Sequence, residues 1–148
     1  MNKNFLIIFL IIFIPDSFAC MCTKFWNEWN EQQTSQIIES SDIIFIGKLM
    51  ASSNDCYEFE VIDVFKGSVN IGATLEGYYL TSCSGLPNVK GKWIFYGNYR
   101  LRNDNRVLNY SQCSPTRNLS RISRKRKQEY LDKELKLLNT CFDKNIVL

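Results

Sequence analysis

The chain has 148 residues, 45% of them hydrophobic and 22% charged, with a formal net charge of +3 and no histidine. That length is one domain's worth, enough for one real core. The missing histidine excludes His-based zinc sites, Ser-His-Asp and Cys-His nucleophile systems, and the commonest general base.

The chain opens with Met-Asn-Lys-Asn, where Lys3 is the only positive charge, followed by an unbroken apolar run from Phe5 to Ile14. Pro15, Asp16 and Ser17-Phe18-Ala19 come next. A charged start, an apolar centre and small residues at −3 and −1 predict an export signal over residues 1–19. As a helix the apolar run covers about 15 Å, too short for a bilayer core of roughly 30 Å. Cleavage after Ala19 leaves 20–148 as one domain. All six cysteines lie there: Cys20, Cys22, Cys56, Cys83, Cys113 and Cys141. An even count in an exported chain favours three disulfides, with fifteen pairings open. A cysteine directly after the signal also fits a lipoprotein, although Ser-Phe-Ala lacks the usual Leu at −3. The localisation expected is therefore secreted or periplasmic, either free or lipid-anchored at Cys20.

Trp26 and Trp29 stand at i, i+3, as on one face of a turn or short helix packed on the core. Thr34 to Ser40 predicts a short helix capped by Thr34 or Ser35. Five strands follow: Asp42 to Met50, Tyr57 to Phe65, Ala73 to Leu80, Lys92 to Tyr99 and Arg106 to Tyr110. The second alternates cleanly, with Tyr57, Phe59 and Val61 on one side and Glu58 and Glu60 on the other. Lys66-Gly67-Ser68, Ser84-Gly85-Leu86-Pro87 and Asn103-Asp104-Asn105 are turn chemistry. Ser123 to Cys141 predicts a helix, with Leu131, Leu135, Leu138 and Phe142 as its apolar stripe. These elements predict a mainly β protein: a small barrel with a short N-terminal helix and a C-terminal helix packed on it.

Arg117, Arg121, Arg124, Lys125, Arg126 and Lys127 occur with no acid between Ser111 and Gln128. They read either as a solvated helix face or as a patch for an anionic glycan or lipid surface. Export argues against nucleic acid. There is no phosphate-loop or dinucleotide glycine pattern, no cofactor is expected, and the acids are scattered. An enzyme is therefore the less favoured class.

Cys20-Met21-Cys22 at a new N-terminus is the informative motif. In an extended segment i and i+2 share a face, so two disulfides can staple this end while Met21 points away.

The chain resembles the tissue inhibitor of metalloproteinases (TIMP) family, the netrin-like OB-fold domain, and especially its compact bacterial members. The residues that carry the likeness are Cys20-x-Cys22 and Ser41-Asp42-Ile43-Ile44-Phe45-Ile46-Gly47-Lys48. Further along are Tyr57-x-Phe59-x-Val61-x-x-Val64-Phe65-Lys66-Gly67, Cys83, Gly91-Lys92 with Phe95-Tyr96, and Ser111-x-Cys113-Ser114-x-Thr116-Arg117. The resemblance implies a five-stranded OB-fold-like barrel with bridges Cys20–Cys83 and Cys22–Cys113, which leaves Cys56–Cys141 as a third. It also implies an inhibitory ridge of Cys20, Met21, Cys22, Thr81, Ser82, Cys83 and Ser84. The partner would be a zinc metalloprotease, with no metal of the chain's own. The Cys20 amine and carbonyl would chelate the target's zinc, and Met21 would enter the adjacent pocket. Similar inhibitors often carry Thr or Ser where this chain has Met21. The alternative is a non-inhibitory netrin-like binding module or surface lipoprotein that uses the basic stretch.

Overall fold

The computed structural model describes Cys20 and residues 29–142. The export signal, Met21, Cys22 and Trp26 lie outside the described residues, and so do the expectations that rest on them.

The elements in chain order are α1 (Glu31–Ser40), β1 (Ile43–Ser52), β2 (Cys56–Lys66), β3 (Thr74–Tyr78), β4 (Gly91–Arg102), β5 (Asn105–Asn109), β6 (Arg117–Asn118) and α2 (Lys125–Cys141). A 3-10 turn at Leu119–Arg121 joins β6 to the α2 approach. The strands are hydrogen-bonded in the order β1-β2-β3-β5-β4-β6, and an added β1–β4 pairing closes the first five into a barrel. The expected five strands all form, as an OB-fold-like barrel. The third is shorter than expected and the fourth longer.

α1 begins earlier than the sequence reading placed it. Asn30 is the cap, its Oδ1 accepting from Gln33 N at 2.9 Å, and Thr34 is buried inside the helix. At the other end Lys66 Nζ donates to the carbonyls of Ile38 and Glu39 at 2.8 Å each. A cation there meets the helix's unpaired carbonyls and the negative end of its dipole. β4 turns into β5 through Asn103 and Asp104, with φ of 49° and 63°. Two successive positive φ values are the geometry of a tight hairpin turn, and Asn and Asp tolerate it best after Gly.

β1 and β4 feed two cores. Ile43, Phe45, Leu49, Trp93 and Phe95 point into the barrel with Tyr57, Phe59, Val61, Leu108 and Tyr110. Their neighbours Ile44, Ile94 and Tyr96 point outward and pack with Ile38, Phe65 and Leu138 beneath the helices. Aromatic rings fill the lumen: Phe45 stacks on Phe95 at 4.9 Å, and Tyr110 meets Phe95 edge-on at 5.2 Å. Offset and edge-to-face pairs at these distances are the favoured ring arrangements.

The α2 stripe holds Leu131 and Leu138 as expected, and between them Glu134, which is also buried. Glu134 Oε1 accepts from the Tyr96 hydroxyl at 2.6 Å and from Arg117 Nη1 at 3.1 Å, and Oε2 pairs with Arg117 Nη2. Arg117 Nη1 also donates to the Pro115 carbonyl at 3.1 Å. Helix, barrel wall and β6 thus meet at one carboxylate. A buried charge is tolerable only with such a full set of partners.

Burial pushes the Tyr57, Tyr96 and Tyr110 hydroxyls above the ordinary phenol range. Tyr110 adds to the rise at Tyr57. At Tyr96 the Glu134 charge and hydrogen bond add to it and Arg117 opposes it.

Glu134→Ala removes the carboxylate from a partly buried guanidinium and a buried hydroxyl. It is expected to cost about 3–5 kcal/mol in urea denaturation. A loss under about 1 kcal/mol, the range of exposed pairs, would show the cluster to be incidental. The tyrosines predict alkaline instability. The folded chain holds their protons more tightly than the unfolded one, so their contribution is complete below about pH 10 and falls as pH rises above it. In an ultraviolet titration Tyr57, Tyr96 and Tyr110 should stay protonated until the chain unfolds.

Candidate functional site

The site lies where the β3–β4 connection meets the segment after β5. Cys20 is bridged to Cys83 with Cα atoms 5.5 Å apart. That agrees with the pairing implied by the resemblance. Cys113 is also disulfide-bonded. The pairing that names Cys22 as its partner falls outside the described residues.

The loop under the bridge is held by hydrogen bonds from both sides. Ser84 Oγ accepts from the Leu80 and Thr81 amides at 3.2 and 3.0 Å, and from Asn109 Nδ2 at 2.8 Å. The Asn109 amide also donates to the Tyr78 carbonyl at 2.9 Å. Gln112 clamps the loop from the segment after β5: its amide donates to the Cys83 carbonyl at 2.9 Å. Its Nε2 donates to the Ser82 and Ser84 carbonyls at 3.1 and 3.0 Å. Gly85 N donates to the Tyr110 carbonyl at 2.7 Å. A Cβ at Gly85 would lie 2.0 Å from a Tyr110 ring carbon, so the close crossing requires glycine.

Of the expected ridge residues, Thr81 and Ser82 are exposed, and Cys20 and Cys83 are half-buried. Ser84 is a correction. It is 1% exposed and is the hub beneath the loop rather than a contact surface. Asn109 and Gln112 were missed. Asn109 ends an alternating strand and Gln112 sits between two motif residues, and neither position carries a local signal of its role.

Cys56 and Cys141 are free thiols, so the third bridge is a second correction. Cys56 starts β2, paired opposite Tyr78, and its Sγ lies 3.0 Å from Ser53 Oγ. Cys141 is exposed at the last turn of α2.

The basic stretch divides. Arg117 leaves it, because its guanidinium is turned inward onto Glu134 and its side chain is only 15% exposed. Arg121, Arg124, Lys125, Arg126 and Lys127 are exposed. Arg124 is the α2 N-cap residue with no side-chain cap, and the first turn has no acid. Cations at the positive end of a helix dipole are unfavourable, so this turn is held by the packing of Leu131 and Leu138 further on. Among the described residues no group of three or more Cys, Asp or Glu side chains is placed to hold a metal ion.

No protein-family model and no curated protein matches this chain.

The thiol assignment predicts a labelling result. In denaturant without reductant, iodoacetamide should add two groups, on Cys56 and Cys141. In the folded protein the exposed Cys141 should react before the half-buried Cys56. Protein that takes up no label would restore the third bridge.

Proposed function

We propose that this chain is an exported TIMP-like inhibitor of zinc metalloendopeptidases, acting through an N-terminus freed at Cys20. The observation that carries the proposal is the Cys20–Cys83 bridge. It holds Cys20 against a loop whose Thr81 and Ser82 are exposed beside it and whose backbone is fixed by Ser84, Asn109 and Gln112. A protein approaching Cys20 therefore meets it against a loop already held in place, and little further ordering of that loop is lost on binding.

The chemistry follows from the atoms of a free N-terminal residue. A catalytic zinc keeps one open position beside three protein ligands. The α-amine and carbonyl of one residue close a five-membered chelate on such a metal and displace the water that attacks substrate. An α-amine with an ordinary value near 8 gives up its proton at small cost near neutral pH. Met21 then fills the apolar pocket beside the metal with an unbranched, adaptable side chain.

Protein beginning at Cys20 should titrate a zinc endopeptidase stoichiometrically. One added alanine before Cys20 removes the chelating amine and should weaken inhibition by at least about 100-fold, or roughly 2.7 kcal/mol. Equal inhibition by the extended form, or none by the form beginning at Cys20, overturns the chelation model. An intact mass carrying acyl groups on Cys20 would also overturn it, because an acylated amine cannot bind zinc.

A further inference from the structure

The barrel is closed unevenly. β2 pairs with β3 from Cys56↔Tyr78 to Glu60↔Thr74, and β4 pairs with β5 from Asn98↔Asn109 to Arg102↔Asn105. Between β3 and β5 there is one parallel bridge, Gly77↔Leu108. Beyond it the facing edges of Thr74–Glu76 and Asn105–Val107 have no ladder partner among the described residues. A groove of about 350 Å³ lies along this seam, lined by both edges and by Tyr78, Tyr99, Arg102 and Arg106. Unpaired edges are what native proteins ordinarily cover or shorten, because they template another strand.

Two guanidiniums stack on tyrosine rings over the seam. Arg102 lies 3.9 Å above the Tyr78 ring and Arg106 lies 3.8 Å above the Tyr99 ring. A guanidinium stacked on a ring keeps its in-plane N–H groups free for a carboxylate. Arg102 has only a long contact, 3.9 Å, to the exposed Asp55, and Arg106 has no carboxylate partner among the described residues. Glu76, the one acid lining the groove among the described residues, is engaged by the Tyr78 hydroxyl.

We propose that the β3–β5 seam is a binding site for an extended acidic peptide. The peptide adds as a strand along these edges and places carboxylates on Arg102 and Arg106. A peptide is favoured over an acidic glycan because the unmet groups are a backbone ladder with the strand repeat of about 3.3 Å, which another backbone matches in register. This site is separate from the Cys20 ridge and does not depend on the inhibitor proposal.

The test uses the protein beginning at Cys20 and an end-blocked peptide of alternating Glu and Val, about eight residues long and so reaching roughly 26 Å when extended. Saturable binding is expected, with amide shift changes centred on Thr74–Glu76 and Asn105–Val107. Three changes should each weaken it by about tenfold or more: Arg106→Glu, Lys in place of Glu in the peptide, and N-methylation of alternate peptide amides. The last needs no protein variant, so the outcome does not hang on how Arg106→Glu folds. Absence of saturable binding overturns the proposal. So do shifts confined to other residues, indifference to N-methylation, and tighter binding of a heparin fragment at the same amides.

Discussion

β1 is the strand on which the barrel depends, because it is paired on both edges and, from Ile43 to Gly47, covered on both faces. One edge runs against β2 and the other against β4, from Ile43↔Gly97 to Leu49↔Gly91. A flat ladder cannot do this in a small closed sheet, and the β1–β2 ladder shifts register after Ile44, Ile46 and Leu49, with the extra residue on β2 at the first two and on β1 at the third. Such shifts raise local twist and turn a strand round a barrel corner. Gly47 sits at the second shift, where a Cβ would press on the Phe45 ring. Replacing it would disturb both ladders together.

The two-sided burial of β1 and β4 explains which parts of the fold could be read from the residues. A strand with one wet face alternates, and Tyr57 to Val61 shows that pattern plainly. Ile43-Ile44-Phe45-Ile46 is continuous instead, because its odd members fill the lumen and its even members seat the helices. Both patterns are local, so both were legible. Glu134 was not, because it stands where an apolar stripe would be drawn and looks like a solvated break in it. Only its partners, seventeen and thirty-eight residues back, make its burial tolerable. Arg117 was misjudged for the same reason, since it belongs by sequence to a basic run and by contact to a carboxylate.

The candidate site was legible in its covalent part and hidden in its polar part. Spacing left fifteen pairings open, and it was the family resemblance that implied the Cys20–Cys83 bridge. Cys56 and Cys141 show the weakness of counting: evenness says nothing about whether two cysteines end up adjacent, and these occupy a strand start and a helix end. The loop's rigidity comes from Ser84, Asn109 and Gln112, whose roles depend on two chain segments lying side by side. Hydrogen bonds of that kind leave no periodicity behind.

The Cys20–Cys83 bridge closes a covalent ring whose ends are 63 positions apart, and the ring contains α1, β1, β2 and β3. The chain-entropy model gives such a closure roughly 4 kcal/mol. Its topology matters in another way. A single backbone cut in an exposed turn within that ring, such as Ser53–Asp55 or Ser68–Gly72, opens the ring without separating the pieces. One nick there would leave both fragments covalently joined through Cys20 and Cys83.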